Sequence, residues 1–201
     1  MNVLILGATG TLGTALTKKL MTTTKEHLTL FARHADRLKP QARTRIMVGN
    51  ALERNDLRRA LKGQDVVFCA ISGKHLPQVA NNLVELMPEE KVDRLIFMGA
   101  VGIYNEIPDE MDGKDNLVNN QAQLPNRKAV DIIESSNLNY TIIRPGFLRA
   151  GKEDDFVLTI KGEKARGYIA TVPSLLKFAT HLISNDKMYS RRNISITRDL
   201  I

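Results

Sequence analysis

The sequence predicts an α/β fold, a doubly wound parallel sheet of about seven strands with helices on both faces. Three observations predict it. Short runs of wholly apolar residues recur along the chain, amphipathic segments at helical spacing separate them, and the first strand–helix junction is the glycine-rich turn Gly7-Ala8-Thr9-Gly10-Thr11-Leu12-Gly13. Strands that are apolar at every position, rather than at alternate ones, suit a sheet covered on both faces.

Taken in order, Asn2 to Leu6 (NVLIL) is the first strand, and Thr11 to Met21 then sets Leu12, Leu16 and Leu20 on one helical face. His27 to Ala32 (HLTLFA) and Thr44 to Val48 (TRIMV) are the next strands. A helix over Asp56 to Leu61 leads to a fourth strand, Asp65 to Ala70 (DVVFCA). His75 to Met87 is helical up to Pro88, Asp93 to Met98 (DRLIFM) is the fifth strand, and a helix from Asn126 to Ser135 leads to the sixth, Tyr140 to Arg144 (YTIIR). Past Pro145 the pattern loosens, with a helix from about Ser174 to Ile183 and a last strand, Asn193 to Thr197. Gly99 to Gln123 is the least regular stretch and reads as a mobile loop. No repeat, low-complexity tract or linker divides the chain, so residues 1–201 are expected to form a single domain.

Bulk composition narrows the function classes. At 201 residues, with 43% apolar and 25% charged side chains, the chain is long enough for one substantial core and short for two domains. Its longest apolar runs fall well below the roughly 18 residues a membrane-spanning helix needs, so no membrane association is expected. No leader-like segment follows Met1, and the one cysteine, Cys69, suits a reducing compartment as a buried apolar residue; a cytoplasmic protein is expected. The net charge of +7 is scattered and lacks aromatic interleaving, so no specific nucleic-acid binding is expected. A local cluster, Arg33, Arg37, Lys39, Arg43 and Arg45, follows the second strand. None of the four histidines has a metal-ligand partner at suitable spacing, and no metal is expected.

The chemistry concentrates at the glycine turn. A diphosphate needs small residues so that backbone can approach it, and it is favoured where a helix begins with unpaired N–H groups and a positive dipole end. Gly7, Gly10 and Gly13, with Thr9, Thr11 and Leu12 between them, meet both conditions between a strand and a helix. That is the Rossmann-type arrangement and predicts a dinucleotide cofactor. NAD-specific sites place an acid at the end of the second strand, whereas this chain reads Phe31-Ala32-Arg33; a guanidinium there, with Arg37 nearby, favours NADP over NAD. Further site segments are expected at the carboxyl ends of successive strands. Asn50, beside Ala51, would meet the adenine, the 70–73 loop with Ala70, Ile71 and Ser72 the ribose and diphosphate, and Pro145 to Leu148, with Gly146 and Phe147, the nicotinamide, while Gly99 and Ala100 line the same edge. Residues 99–123 and 146–172 are expected to face the substrate.

With these residues in view, the chain resembles the atypical short-chain dehydrogenase/reductase superfamily, in the NmrA-like group that includes the biliverdin reductase B (flavin reductase) enzymes. The resemblance covers nearly the whole chain. It rests on the Gly7 to Gly13 turn, Phe31-Ala32-Arg33, Leu95-Ile96-Phe97-Met98-Gly99-Ala100, and Asn139-Tyr140-Thr141-Ile142-Ile143-Arg144-Pro145-Gly146. It implies an NADP(H)-binding monomer or homodimer, often a reductase of flavins, quinones or small carbonyls.

The departures redirect the expected chemistry. Carbonyl reducers of the superfamily carry a Ser after the fifth strand and a Tyr four residues before a Lys; here those positions are Ala100 and Leu124, and Lys128 alone remains. Lys128 is expected to hold the nicotinamide ribose, and Tyr104 is the one phenol expected to approach the nicotinamide. Without a lysine-activated phenol a ketone has no general acid, whereas a flavin or quinone takes a hydride directly and draws protons from solvent. The expected function is therefore NADPH-dependent reduction of a flavin, quinone or similar small acceptor. The alternative is an NmrA-type redox sensor that holds NADP without turnover; a sugar-nucleotide epimerase is disfavoured by the missing tyrosine.

Overall fold

A computed structural model of the chain describes residues 1–111 and 113–199. Its elements are β1 (Asn2–Leu6), α1 (Thr11–Thr23), β2 (His27–Ala32), β3 (Thr44–Val48), α2 (Arg54–Leu61), β4 (Val66–Cys69), α3 (Leu76–Glu89) and β5 (Arg94–Met98). There follow α4 (Leu124–Glu134), β6 (Asn139–Pro145), β7 (Phe147–Arg149), β8 (Val157–Ile160), β9 (Ile169–Thr171), α5 (Val172–Ser184) and β10 (Arg192–Thr197). The main sheet has eight strands in the order β3-β2-β1-β4-β5-β6-β10-β8, with β7 and β9 paired in a separate ribbon. All neighbours in the main sheet are parallel except β8, which runs antiparallel to β10 and closes one edge.

The strand alternation explains why the strands read as apolar throughout. Leu4 and Leu6 of β1 pack with Leu57 and Leu61 of α2, Val79 and Leu83 of α3, and Val130 and Ile133 of α4. Val3 and Ile5 point the other way, to Leu16 and Leu20 of α1 and Leu175, Phe178 and Leu182 of α5. Strands β1, β2, β4, β5 and β6 thus feed two cores, one per face. Cys69 lies in the first of them, fully buried. Burial with no counter-charge pushes its thiol up to about 12, which keeps it neutral.

Local chemistry sets the ends of the elements. Helix α5 opens on a reciprocal cap, Thr171 Oγ1 accepting from the Ser174 amide and Ser174 Oγ from the Thr171 amide, with a proline in its first turn. The helix therefore starts at Val172, two residues before the sequence expectation. Helix α1 has no basic residue in its last turn. Arg43 supplies the charge instead, donating to the carbonyls of Met21, Thr24 and Glu26 at 2.9–3.0 Å. Among the described residues no helix is long and apolar enough to cross a membrane.

Candidate functional site

The strand order reverses at β1: the chain steps outward through β2 and β3, then returns to lay β4 on the other side. At such a switch point the loops leaving neighbouring strands part in opposite directions and leave a crevice at their carboxyl ends. A cleft of about 380 Å³ opens there. Its floor is Gly7, Thr9 and Gly10; one wall is Phe31 to His34 and Gly49 to Leu52; the other runs from Ala70 to Leu76 and reaches Val79 of α3.

The floor has the form an anion requires. Gly10 is the N-cap of α1 and carries no side chain, and no acid lies in the first turn, so the leading amides face the cleft region without a protein cap. Gly7 holds φ at +82°, in the left-handed region that L side chains avoid. A Cβ on Gly13 would stand 2.8 Å from Ala8 Cα, so α1 can lie this close to β1 only without one. The residues present fit a bound diphosphate because Gly7 and Gly10 let backbone approach it at the uncapped start of α1.

The adenosine-side wall is braced from behind. Asp56 accepts from the Asn50 amide at 3.0 Å and from Arg59, and these bonds hold its carboxyl below the usual carboxylate range. Asn82, buried in α3, donates to the carbonyls of Ala51 and Leu52 at 3.0 and 3.1 Å. Asn50 Oδ1 accepts from the Leu52 amide, which leaves its side-chain amide group turned to other partners. Beyond β2, Arg33 and His34 are exposed at the rim, and the Arg33 guanidinium meets no acceptor among the described residues.

The structure gathers part of the predicted site and separates the rest. Gly7, Thr9, Gly10, Arg33, Asn50, Ala51, Ala70, Ile71 and Ser72 line the cleft, with Thr11, Leu12 and Gly13 in the helix turn next to it. Arg37 is exposed just past the rim in a short 3-10 turn and does not line the cleft. Arg43 of the basic cluster is committed to the end of α1. Gly99, Ala100, Pro145, Gly146 and Phe147 stand at the carboxyl ends of β5 and β6, further along the same edge of the sheet. Sequence reasoning missed Lys74, which brings an exposed cation to the opposite wall, and Leu76 and Val79 from the first turns of α3. The signal was the lysine in the loop after the fourth strand.

One expectation is corrected. The Tyr104 hydroxyl donates to Glu134 Oε2 at 3.1 Å and accepts from Asn193 Nδ2 at 3.0 Å, while Arg127, Arg144 and Lys161 surround the ring. Burial and the Glu134 carboxylate push its pKa upward, so this phenol is a poor proton donor held away from the cleft. Lys128 is exposed on α4 and, like Gly99, Ala100 and Pro145 to Phe147, lies outside the lining of this adenosine-side cleft. The described residues of 99–123 lie outside the lining of this adenosine-side cleft and are tied internally. Asn116 exchanges two 3.0 Å bonds with the Ile107 backbone, Gln123 donates to Val101 O, and Glu106 forms a buried ion pair with Arg144.

Comparison with known proteins agrees with this geometry. The NAD(P)H-binding family model matches residues 7–186. No curated protein sequence matches the chain. Among solved structures, a Rossmann-fold NAD(P)-binding family protein from Shigella flexneri is 32% identical, with a TM-score of 0.85 over 98% of this chain and 93% of that one. A short-chain dehydrogenase/reductase from Veillonella parvula in complex with NADP is 24% identical, with a TM-score of 0.86 over 98% and 94%. ChuY, an anaerobillin reductase from Escherichia coli, is 17% identical, with a TM-score of 0.82 over 100% and 99%. The family match spans most of the chain, including the glycine turn that floors the cleft, and the chain belongs to the NAD(P)H-binding family of Rossmann-fold proteins.

Proposed function

We propose that the chain is an NADPH-dependent reductase of a flat acceptor such as a flavin or quinone, working without a tyrosine proton donor. A bound NADPH would supply the hydride, and the one proton that completes the two-electron reduction of the acceptor would come from water. The amides of Thr11, Leu12 and Gly13 would hold the diphosphate, Asn50 the adenine, and Arg33 the 2′-phosphate that distinguishes NADPH from NADH. The residues at the ends of β5 and β6 would exclude water and orient the reacting rings, so that positioning carries the rate.

The observation that carries this reading is the pairing of an Arg33 at the cleft rim that meets no acceptor among the described residues with a Tyr104 hydroxyl already engaged by Glu134 and Asn193. The first favours a phosphorylated ribose; the second disfavours any acceptor that must be protonated by a phenol. The Veillonella parvula protein solved with NADP and the reductase name of ChuY support the same direction. The want of a free phenol also favours a second reading, an NADP-binding regulatory protein without turnover. Incubation with NADPH and a panel of flavins and quinones, followed at the nicotinamide absorbance band, separates the two. Loss of absorbance is expected, and tight NADPH binding with no loss on any acceptor would defeat the reductase reading.

A further inference from the structure

Phe147 is the first residue after the Pro145-Gly146 corner of β6, and it leaves 59% of its surface in contact with water. A single exposed phenylalanine is ordinary. This one is held in an unusual way. Its ring stacks on Tyr168, with centroids 6.1 Å apart and planes inclined by 29°. Its amide donates to the Tyr168 carbonyl at 2.7 Å, and β7 pairs with β9 in register Phe147 to Ile169. Tyr168 is fixed in turn: its hydroxyl bonds the Asp115 carboxylate, and its ring packs on Val101, Ile107 and Ala165. A Cβ on Gly146 would stand 2.8 Å from the Tyr168 carbonyl carbon, so the corner closes only with glycine there.

The place of this pair matters as much as its rigidity. Val101 follows β5, and its amide donates to the Pro145 carbonyl at the end of β6, so Tyr168 sits against the carboxyl ends of those two strands. From β1, above which the diphosphate floor lies, β6 is three strand spacings along the sheet, about 14 Å. A dinucleotide spans both halves of such an edge, which brings its redox end toward β6.

We propose that the Phe147–Tyr168 pair is the docking platform for the planar aromatic ring of the electron acceptor. The identity of the occupant rests on the reductase reading above. A pre-stacked ring pair loses little rotamer freedom when a third ring is added, and its water-exposed face is then covered by apolar area of matching shape. Tyr168 acts through Phe147 as a positioning residue, and Phe147 makes the contact.

Riboflavin fluorescence, excited in the visible where protein side chains do not absorb, reports its binding directly. The test titrates riboflavin, and in a second arm a water-soluble naphthoquinone, into the intact protein saturated with NADP⁺. Wild type, Phe147→Ala and Phe147→Tyr are compared. Replacement by Ala is expected to weaken riboflavin binding about threefold to tenfold, and Tyr to restore it within about twofold. In turnover the loss would appear in the acceptor KM more than in kcat, with NADPH affinity changed less than acceptor affinity. Binding by wild type with loss in the Ala variant but no NADPH oxidation supports the platform and removes the reductase reading. Turnover by wild type with an unaltered Ala variant removes the platform and leaves the reductase reading. Failure of wild type to bind either ring overturns the proposal, as does an Ala variant whose NADPH affinity falls as far as its riboflavin affinity.

Discussion

Replacing Arg33 with Ala isolates the proposed 2′-phosphate contact, because the guanidinium is exposed and meets no acceptor among the described residues. The substitution therefore removes no intramolecular bond, and folding stability is expected to stay within about 0.5 kcal/mol of wild type. The effect falls on the ligand alone. A charge-assisted contact between a guanidinium and a phosphate contributes about 1.5–3 kcal/mol, which weakens NADPH binding about 12-fold to 150-fold when lost. NADH lacks that phosphate, so its affinity is expected to change by less than about threefold. Because the contact is exposed, the advantage of NADPH over NADH in wild type should also shrink as salt is raised past physiological strength, where the Debye length is about 8 Å. Calorimetric titration of both proteins with both cofactors measures all four affinities. Equal losses for NADPH and NADH, or no loss for NADPH, would refute the reasoning.

Other perturbations test the supports of the site. Gly13→Ala sets a methyl against the Gly7 carbonyl and Ala8 Cα, so it is expected to cost about 1–3 kcal/mol and to lower Tm by several degrees, with weakened cofactor binding. Glu106→Ala leaves Arg144 as a buried unpaired cation, an expected loss of about 3–5 kcal/mol in urea denaturation, and Arg144→Met in the same chain should recover part of it. Cys69 should resist a thiol-specific disulfide reagent at neutral pH until the protein is unfolded. Since its folded value, about 12, lies above the unfolded value of about 8.5, the stability it contributes is full below the latter and is lost as pH rises through the former. Thermal melts of wild type and Cys69→Ala across the alkaline range check that sign.

The fold was legible where one residue type had one job. Strands β1, β2, β4, β5 and β6 carry apolar residues on both faces because helices lie on both, and that pattern is visible in any short window of the chain. The glycine turn was legible for the same reason, since close backbone approach excludes other residues. Strands β7, β8 and β9 were not, because three or four residues carry no periodicity and their pairing joins segments far apart in sequence. Residues 99–123 read as a mobile loop from their Asn, Asp, Gly and Pro content. The same asparagines instead bond backbone across the loop, as Asn116 does with Ile107. Tyr104 and Arg43 were assigned by proximity along the chain, whereas their partners, Glu134 and Asn193 for the first and the carbonyls closing α1 for the second, are known only from the folded form.

Titration of the purified chain with NADPH, by calorimetry and by thermal shift together, is the most direct measurement. Saturable heat at one site per chain is expected, with a Tm raised by roughly 5–10 °C at a hundredfold excess over Kd. No heat and an unmoved Tm, with NADPH or with NADH, would contradict the assignment of the capless α1 amides as a diphosphate cradle.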